Sequence, residues 1–147
     1  MYSAFEVAKY IIWYCTKENH IVSNLKLQKI LYFVQAEFLV ARNTPCFNEK
    51  IEAWTFGPVV PDVYYKYRAF GNAHIPCVDM TDSYNITHED RLLINGIIDA
   101  CAPYTAPQLT EITRNQSPWL KAYHTNKSCI ISETSIHEFF KKEESDL

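Results

Sequence analysis

The residues with most chemistry to offer are polar ones set into apolar runs. Over residues 25–32 (LKLQKILY), Lys26, Gln28 and Lys29 interrupt a helical stretch that otherwise reads as core. Gln28, Tyr32 and Gln35 stand at i, i+4 and i+7, so they share one helix face. Two amides and a phenol in a row provide donors and acceptors in fixed geometry. The ordinary explanation is a solvated face. The sharper one is a polar seam that bonds the neighbouring Glu52/Trp54 segment or a partner chain. A second group follows at residues 52–61 (EAWTFGPVVP). There Trp54 and Phe56 should face one side of a strand, while Gly57 permits a conformation that Pro58 then fixes. Pro61 suits the first turn of the next helix, which carries Tyr64. The third group is Ser117-Pro118-Trp119, read as a helix start with Pro118 at its first position and the indole as a core plug. Rigidly held Trp and Tyr also favour binding surfaces.

Patterns for catalysis and metal binding are sparse. His74 and Cys77 form a close His/Cys pair, but no second pair follows at useful spacing, so no metal and no cofactor is expected. His88-Glu89-Asp90-Arg91 lacks the second His of a zinc-protease helix. No GxSxG occurs, and none of the five Cys (15, 46, 77, 101, 129) sits in a recognisable catalytic context. An enzyme would need a composite site assembled in space around Glu52, His74 or His124.

These groups need a scaffold, and the sequence supplies a helical one. Ser3 and Glu6 form a capping box for a helix over 4–17. Ser23 or Asn24 caps a second, whose residues Leu27, Ile30, Leu31, Val34 and Phe38 recur on one face; Asn43-Thr44-Pro45 stops it. Residues 50–56 alternate roughly as a short strand, with an edge position in a sheet as one reading, and Gly57-Pro58 breaks it. Helices are expected over 61–70, from a Thr87 cap to about 101, near 106–113, at 118–123, and after Ser132. Residues 72–86 are irregular, with room for a short strand, and residues 141–147 read as a frayed tail. Gly96, inside the fourth helix, suggests close packing. The fold class is mainly α: a single compact helical domain over 1–147, with a small β element near 50–56.

Composition narrows the function classes. The chain has 147 residues, 48% of them hydrophobic and 14% aromatic, with a net charge of −3. Three glycines, where ordinary usage gives about 10, argue against Gly-rich phosphate loops and hairpin-rich barrels. No basic stripe marks a nucleic-acid binder. The longest apolar run near the start, residues 10–15, is far too short to span a bilayer. Cysteines that are widely spaced and odd in number fit reduced thiols in a cytoplasmic protein.

Taken together, residues 25–36, 52–64 and 109–119 (LTEITRNQSPW) resemble the Panacea domain family, also labelled phage-associated protein. Order and spacing match over about 25–123, and the middle motif is the specific one. One departure stands out: the family's last motif carries Thr-His before its Pro-Trp, whereas here Thr113 precedes Arg114. The resemblance implies an antitoxin that neutralises a cognate protein toxin, encoded next to it, by direct contact; a relative acts instead as an adaptor that hands its toxin to an ATP-dependent protease. On that hypothesis the candidate toxin-binding residues are Lys26, Gln28, Lys29, Tyr32, Gln35, Glu52, Trp54, Phe56, Tyr64 and Trp119, several of which could instead hold the fold, with Gly57, Pro58, Pro61 and Pro118 shaping the motif.

Overall fold

The computed structural model describes residues 1–77, 85–125 and 129–145. Helix α1 (Ala4–Lys17) starts from the expected capping box, with the Ser3 hydroxyl accepting from the Glu6 N–H and the Glu6 carboxylate accepting from the Ser3 N–H. Helix α2 (Asn24–Arg42) is capped by Ser23 and ends where Asn43 turns left-handed at φ 58°. Strands β1 (Ile51–Trp54) and β2 (Gly57–Val59) follow, then α3 (Pro61–Tyr67), which tightens into a 3₁₀ turn over Arg68–Phe70. Helices α4 (His88–Cys101), α5 (Ala106–Arg114) and α6 (Ser117–Thr125), strand β3 (Ile130–Ile131) and α7 (Glu133–Ser145) complete the chain. Helix α7 thus continues into the segment expected to fray.

Helix α2 is the axis of the molecule. It touches α1, α3, α4, α5, α7 and β2. Its apolar residues Leu27, Ile30, Leu31, Val34 and Phe38 are buried with Val7 and Ile11 of α1, Ile94 and Ile98 of α4, Trp119 of α6 and Ile136 of α7. At its C-terminal end Arg42 pairs with Asp90, the buried carboxylate in the first turn of α4. The Tyr2 hydroxyl donates to the same carboxylate at 2.5 Å. Burial alone would raise the Asp90 pKa, but the hydrogen bonds from Tyr2 and Arg42 and the Arg42 charge outweigh it and hold the carboxyl below its usual range.

Three local expectations are corrected. First, Gly57-Pro58 does not break the strand. It opens β2, which pairs antiparallel with β1 in the register Glu52↔Val59, Ala53↔Pro58 and Trp54↔Gly57. The turn is Thr55-Phe56, so Phe56 lies in the turn rather than on one strand face with Trp54. Because β3 pairs on the other side, β1 is the centre of a β2-β1-β3 sheet and not an edge. Second, Ser117 is the first residue of α6 rather than its cap. Third, Gly96 does not mark close packing: a Cβ there would have nothing within 4 Å. In 72–86, residues 72–77, 85 and 86 hold no strand; residues 78–84 lie outside the described residues.

The Gly96 correction has a measurable consequence. With open space around it in mid-helix, Gly96→Ala should stabilise the protein by about 0.5–1 kcal/mol through helix propensity alone. Urea denaturation checks this; a destabilised variant would mean that the position is packed after all.

Candidate functional site

Asn24, Gln28, Lys29, Tyr32 and Gln35 of α2 form one stripe, and nearly all of it is inside the protein. Asn24 is 3% exposed, Gln28, Lys29 and Tyr32 are 0%, and Gln35 is 1%. A polar group buried without a partner is costly, and here the stripe bonds segments other than its own helix. Gln35 clamps the chain before β1: its carbonyl accepts from the Cys46 N–H (2.8 Å) and the Phe47 N–H (3.2 Å), while its amide donates to the Phe47 carbonyl (3.0 Å). Tyr32 donates to the Gln116 side chain between α5 and α6 (2.8 Å). Asn24 donates to the Tyr64 carbonyl of α3 (3.0 Å) and accepts from Gln28 (3.0 Å).

Gln28 and Lys29 act on β2. The Ala53 N–H donates to the Cys129 carbonyl on the β3 side (2.6 Å). Ala53 and Pro58 therefore face each other as a non-hydrogen-bonded pair. The missing N–H of Pro58 points outward, where an edge strand tolerates proline. The Pro58 carbonyl and the Val60 N–H point the same way, at α2. There the Lys29 ammonium donates to the Pro58 carbonyl (3.1 Å) and the Gln28 carbonyl accepts from the Val60 N–H (2.9 Å). Two helix side chains thus take the place of the next strand and satisfy the sheet edge.

Lys29 is the unusual member. Burial lowers its pKa from 10.5 to about 7, and no described carboxylate pairs with it. Its Nζ lies 5.9 Å from the Phe56 ring centroid. Gly57 sits directly over the side chain with φ +102°, and a Cβ there would lie 2.6 Å from Lys29 Cε and 3.1 Å from Thr113 Oγ1. The glycine is therefore required twice, by its positive φ and by the lysine beneath it. Thr113 is fully buried and its hydroxyl donates back to the Leu109 and Thr110 carbonyls of α5.

Beyond the seam the hairpin carries an aromatic cluster. Trp54 is half-buried, and its ring centroid lies 5.6 Å from Phe56, 5.1 Å from Tyr64 and 6.0 Å from Tyr65. Its indole N–H donates to Glu52 (3.0 Å). Trp119, 2% exposed, donates its own indole N–H to the Trp54 carbonyl (2.9 Å) and stacks on Tyr123 at 4.4 Å. The Arg114 guanidinium lies 5.1 Å from the centroid of that indole. The outward members are Tyr65 (55% exposed), Leu120 (38%) and Tyr123 (37%). Next to them a groove of about 660 Å³ runs between α5 and α6, lined by Leu25, Arg114, Trp119 and Tyr123 among others.

The residues singled out in the sequence therefore divide. Trp54, Phe56, Tyr64 and Trp119 come together at the hairpin, with Glu52 holding Trp54. Gln28, Lys29, Tyr32 and Gln35, expected at a toxin-binding face, have their polar atoms engaged inside and almost no surface for a partner. Lys26 stands apart, its ammonium donating to the Ala102 carbonyl (3.3 Å) at the C-terminal end of α4. Glu52, His74 and His124 have separate surroundings: His74 bonds Val22 and Thr16, and His124 packs on Trp119 and Tyr123. Sequence reasoning missed Tyr65, Leu120 and Tyr123. The i, i+4 spacing of Trp119 and Tyr123 was the available signal.

The buried amine makes stability depend on pH with a defined sign. The folded protein releases the Lys29 proton near pH 7, whereas the unfolded chain keeps it to about pH 10.4. The unfolded state binds more protons in that window, so this group's contribution rises with pH from about 7, by at most about 1.4 kcal/mol per unit. Above about pH 8.5 the buried thiols oppose it: burial pushes Cys15 up to about 12 and Cys101 up to about 11, so the folded state holds protons that the unfolded state gives up. Lys29→Met should flatten the rise between pH 7 and 8.5 in urea midpoints. Superimposable profiles for wild type and variant would contradict the assignment.

Comparison with known proteins assigns the fold to a family. A curated relative, "Antitoxin SocA" of Caulobacter vibrioides (strain NA1000 / CB15N), is 50% identical over 54 residues. The match covers 37% of this chain and only 29% of that protein. No solved structure matches. The family model described as "Antitoxin SocA-like, Panacea domain" matches residues 27–120, a span that contains the α2 stripe, the hairpin and Trp119. On that match, which takes in well over half of the sequence, the chain belongs to the SocA-like Panacea domain family of antitoxins.

Proposed function

We propose that this protein neutralises a cognate protein toxin by direct contact, and that the contact surface is the hairpin tip with the adjoining faces of α3 and α6. The observation that carries this reading is the aromatic cluster at the hairpin. Tyr65, Leu120 and Tyr123 are exposed, while Trp54 and Phe56 behind them stand on a hairpin whose outer edge is fixed by Gln28 and Lys29. Aromatic side chains held on a rigid support anchor protein interfaces at low entropic cost. The buried motif residues act as the support rather than as contacts. The name of the relative and the family membership favour a toxin partner; in this reading it is encoded beside this chain and met in the cytoplasm. Neutralisation by occlusion asks only for such a surface and no catalysis.

The test is co-expression with the neighbouring small open reading frame. Tyr65→Ala combined with Tyr123→Ala should leave circular dichroism unchanged, abolish growth rescue and weaken the complex at least tenfold, about 1.4 kcal/mol or more. In wild-type cells the toxin should persist in a stable complex. Full rescue by the well-folded double variant would contradict the surface. A toxin that disappears only while an ATP-dependent protease is active would contradict occlusion in favour of delivery for degradation.

A further inference from the structure

A second surface lies elsewhere on the protein. Near its C-terminal end α2 forms, with α4 and α7, a groove of about 410 Å³ that shares no lining residue with the one beside the hairpin. Val40 in this groove is about 22 Å along the helix from Leu25, at 1.5 Å per residue. Its floor is apolar: Phe33 and Val40 of α2, Ile97 of α4 and Phe140 of α7. The floor is also fixed in shape, because Tyr32, Phe33 and Phe140 meet edge to face at 5.4, 5.8 and 6.0 Å between centroids. Its rim is acidic. Glu37, Glu143 and Glu144 line it with no basic residue among them, and none of the three forms an ion pair with another described residue. Glu143 and Glu144 stand at the C-terminal end of α7, where carboxylates oppose the helix dipole.

We infer that this groove docks a basic amphipathic segment of a second protein, a short helix whose apolar residues enter the groove and whose Lys or Arg side chains meet Glu37, Glu143 and Glu144. An apolar channel that accepts side chains at i, i+3 or i+4 and i+7 is one of the recurrent ways in which proteins recognise helical peptides. The unpaired carboxylates decide the sign of the partner, since like charges across such a rim would repel and opposite ones steer and hold. A second copy of this chain is disfavoured on the same ground: two copies meeting through this groove would bring acidic rims together on proteins that already carry a net charge of −3.

The probe is a pair of labelled helix-forming peptides of about 12 residues, with identical Leu anchors and flanking Lys in one and Glu in the other. Fluorescence anisotropy with the full chain should show the Lys peptide binding at least tenfold more tightly than the Glu peptide. Raising salt from about 50 to 300 mM should weaken it. The variant carrying Glu37→Lys, Glu143→Lys and Glu144→Lys, checked by circular dichroism, should reverse the preference. If that variant is not folded, Glu143→Lys with Glu144→Lys at the exposed end of α7 should lower Lys-peptide affinity at least threefold. The proposal is overturned by equal binding of the two peptides, by no binding of the Lys peptide, by affinity indifferent to the charge reversals, or by concentration-dependent self-association that the same reversals alter. None of these outcomes bears on the hairpin surface, which Tyr65 and Tyr123 test separately.

Discussion

The ammonium of Lys29 donates to the Pro58 carbonyl in a place that solvent does not reach, with a glycine lying across its stem. No described carboxylate compensates it, and burial lowers its pKa to about 7, which lets the amine shed its proton near neutrality. That one contact ties helix, hairpin and α5 into a single arrangement. The lysine needs the β2 carbonyl, β2 needs a surrogate for the strand it lacks, and the close approach needs a residue without a Cβ at position 57. Thr113 closes the remaining side.

The rest of the α2 stripe repeats the same logic with neutral groups. Asn24, Gln28, Tyr32 and Gln35 spend their hydrogen bonds on α3, β2, the α5–α6 connection and the chain ahead of β1. A helix whose core-facing side is apolar thereby also becomes a frame onto which irregular segments are bonded rather than merely packed. Directional bonds specify position more tightly than apolar contact does. Trp54 and Phe56 on a hairpin held this way are fixed in place behind the exposed Tyr65 of α3 and Tyr123 of α6, and a surface so ordered in advance has a lower ordering cost of binding. The Tyr2–Arg42–Asp90 network performs a similar fixing role at the opposite end of α2.

The helices were legible because their signals are local: Ser3 with Glu6, Ser23, Thr87, and apolar residues at helical spacing. The spacing of Gln28, Tyr32 and Gln35 also showed a shared face, and a seam was one of the two readings it allowed. Burial decided between them, and burial depends on what covers a face. The second strand was hidden because Gly57 and Pro58 are strand breakers when read locally. In the fold the glycine closes the turn at positive φ and the proline occupies a non-hydrogen-bonded edge position, so neither costs the ladder a bond. Gly96 misled in the opposite direction, since a glycine in a helix carries no mark of whether a neighbour stands beside it. The exposure of Tyr65 and Tyr123 was obscured for a similar reason. An aromatic residue at helical spacing reads as core until the neighbouring helix is seen to leave it exposed.

The central claim is that Lys29 and Gly57 form one unit that fixes the hairpin on α2, and a double-mutant cycle tests it most directly. Gly57→Ala is measured by urea denaturation in the wild type and in a Lys29→Ala background. If the two residues are coupled as described, the added methyl group clashes with the lysine in the first case and partly fills the vacated space in the second. The substitution should then cost at least about 1 kcal/mol less without the lysine. Equal costs in the two backgrounds, leaving only the strain of a non-glycine residue at positive φ, would contradict the account.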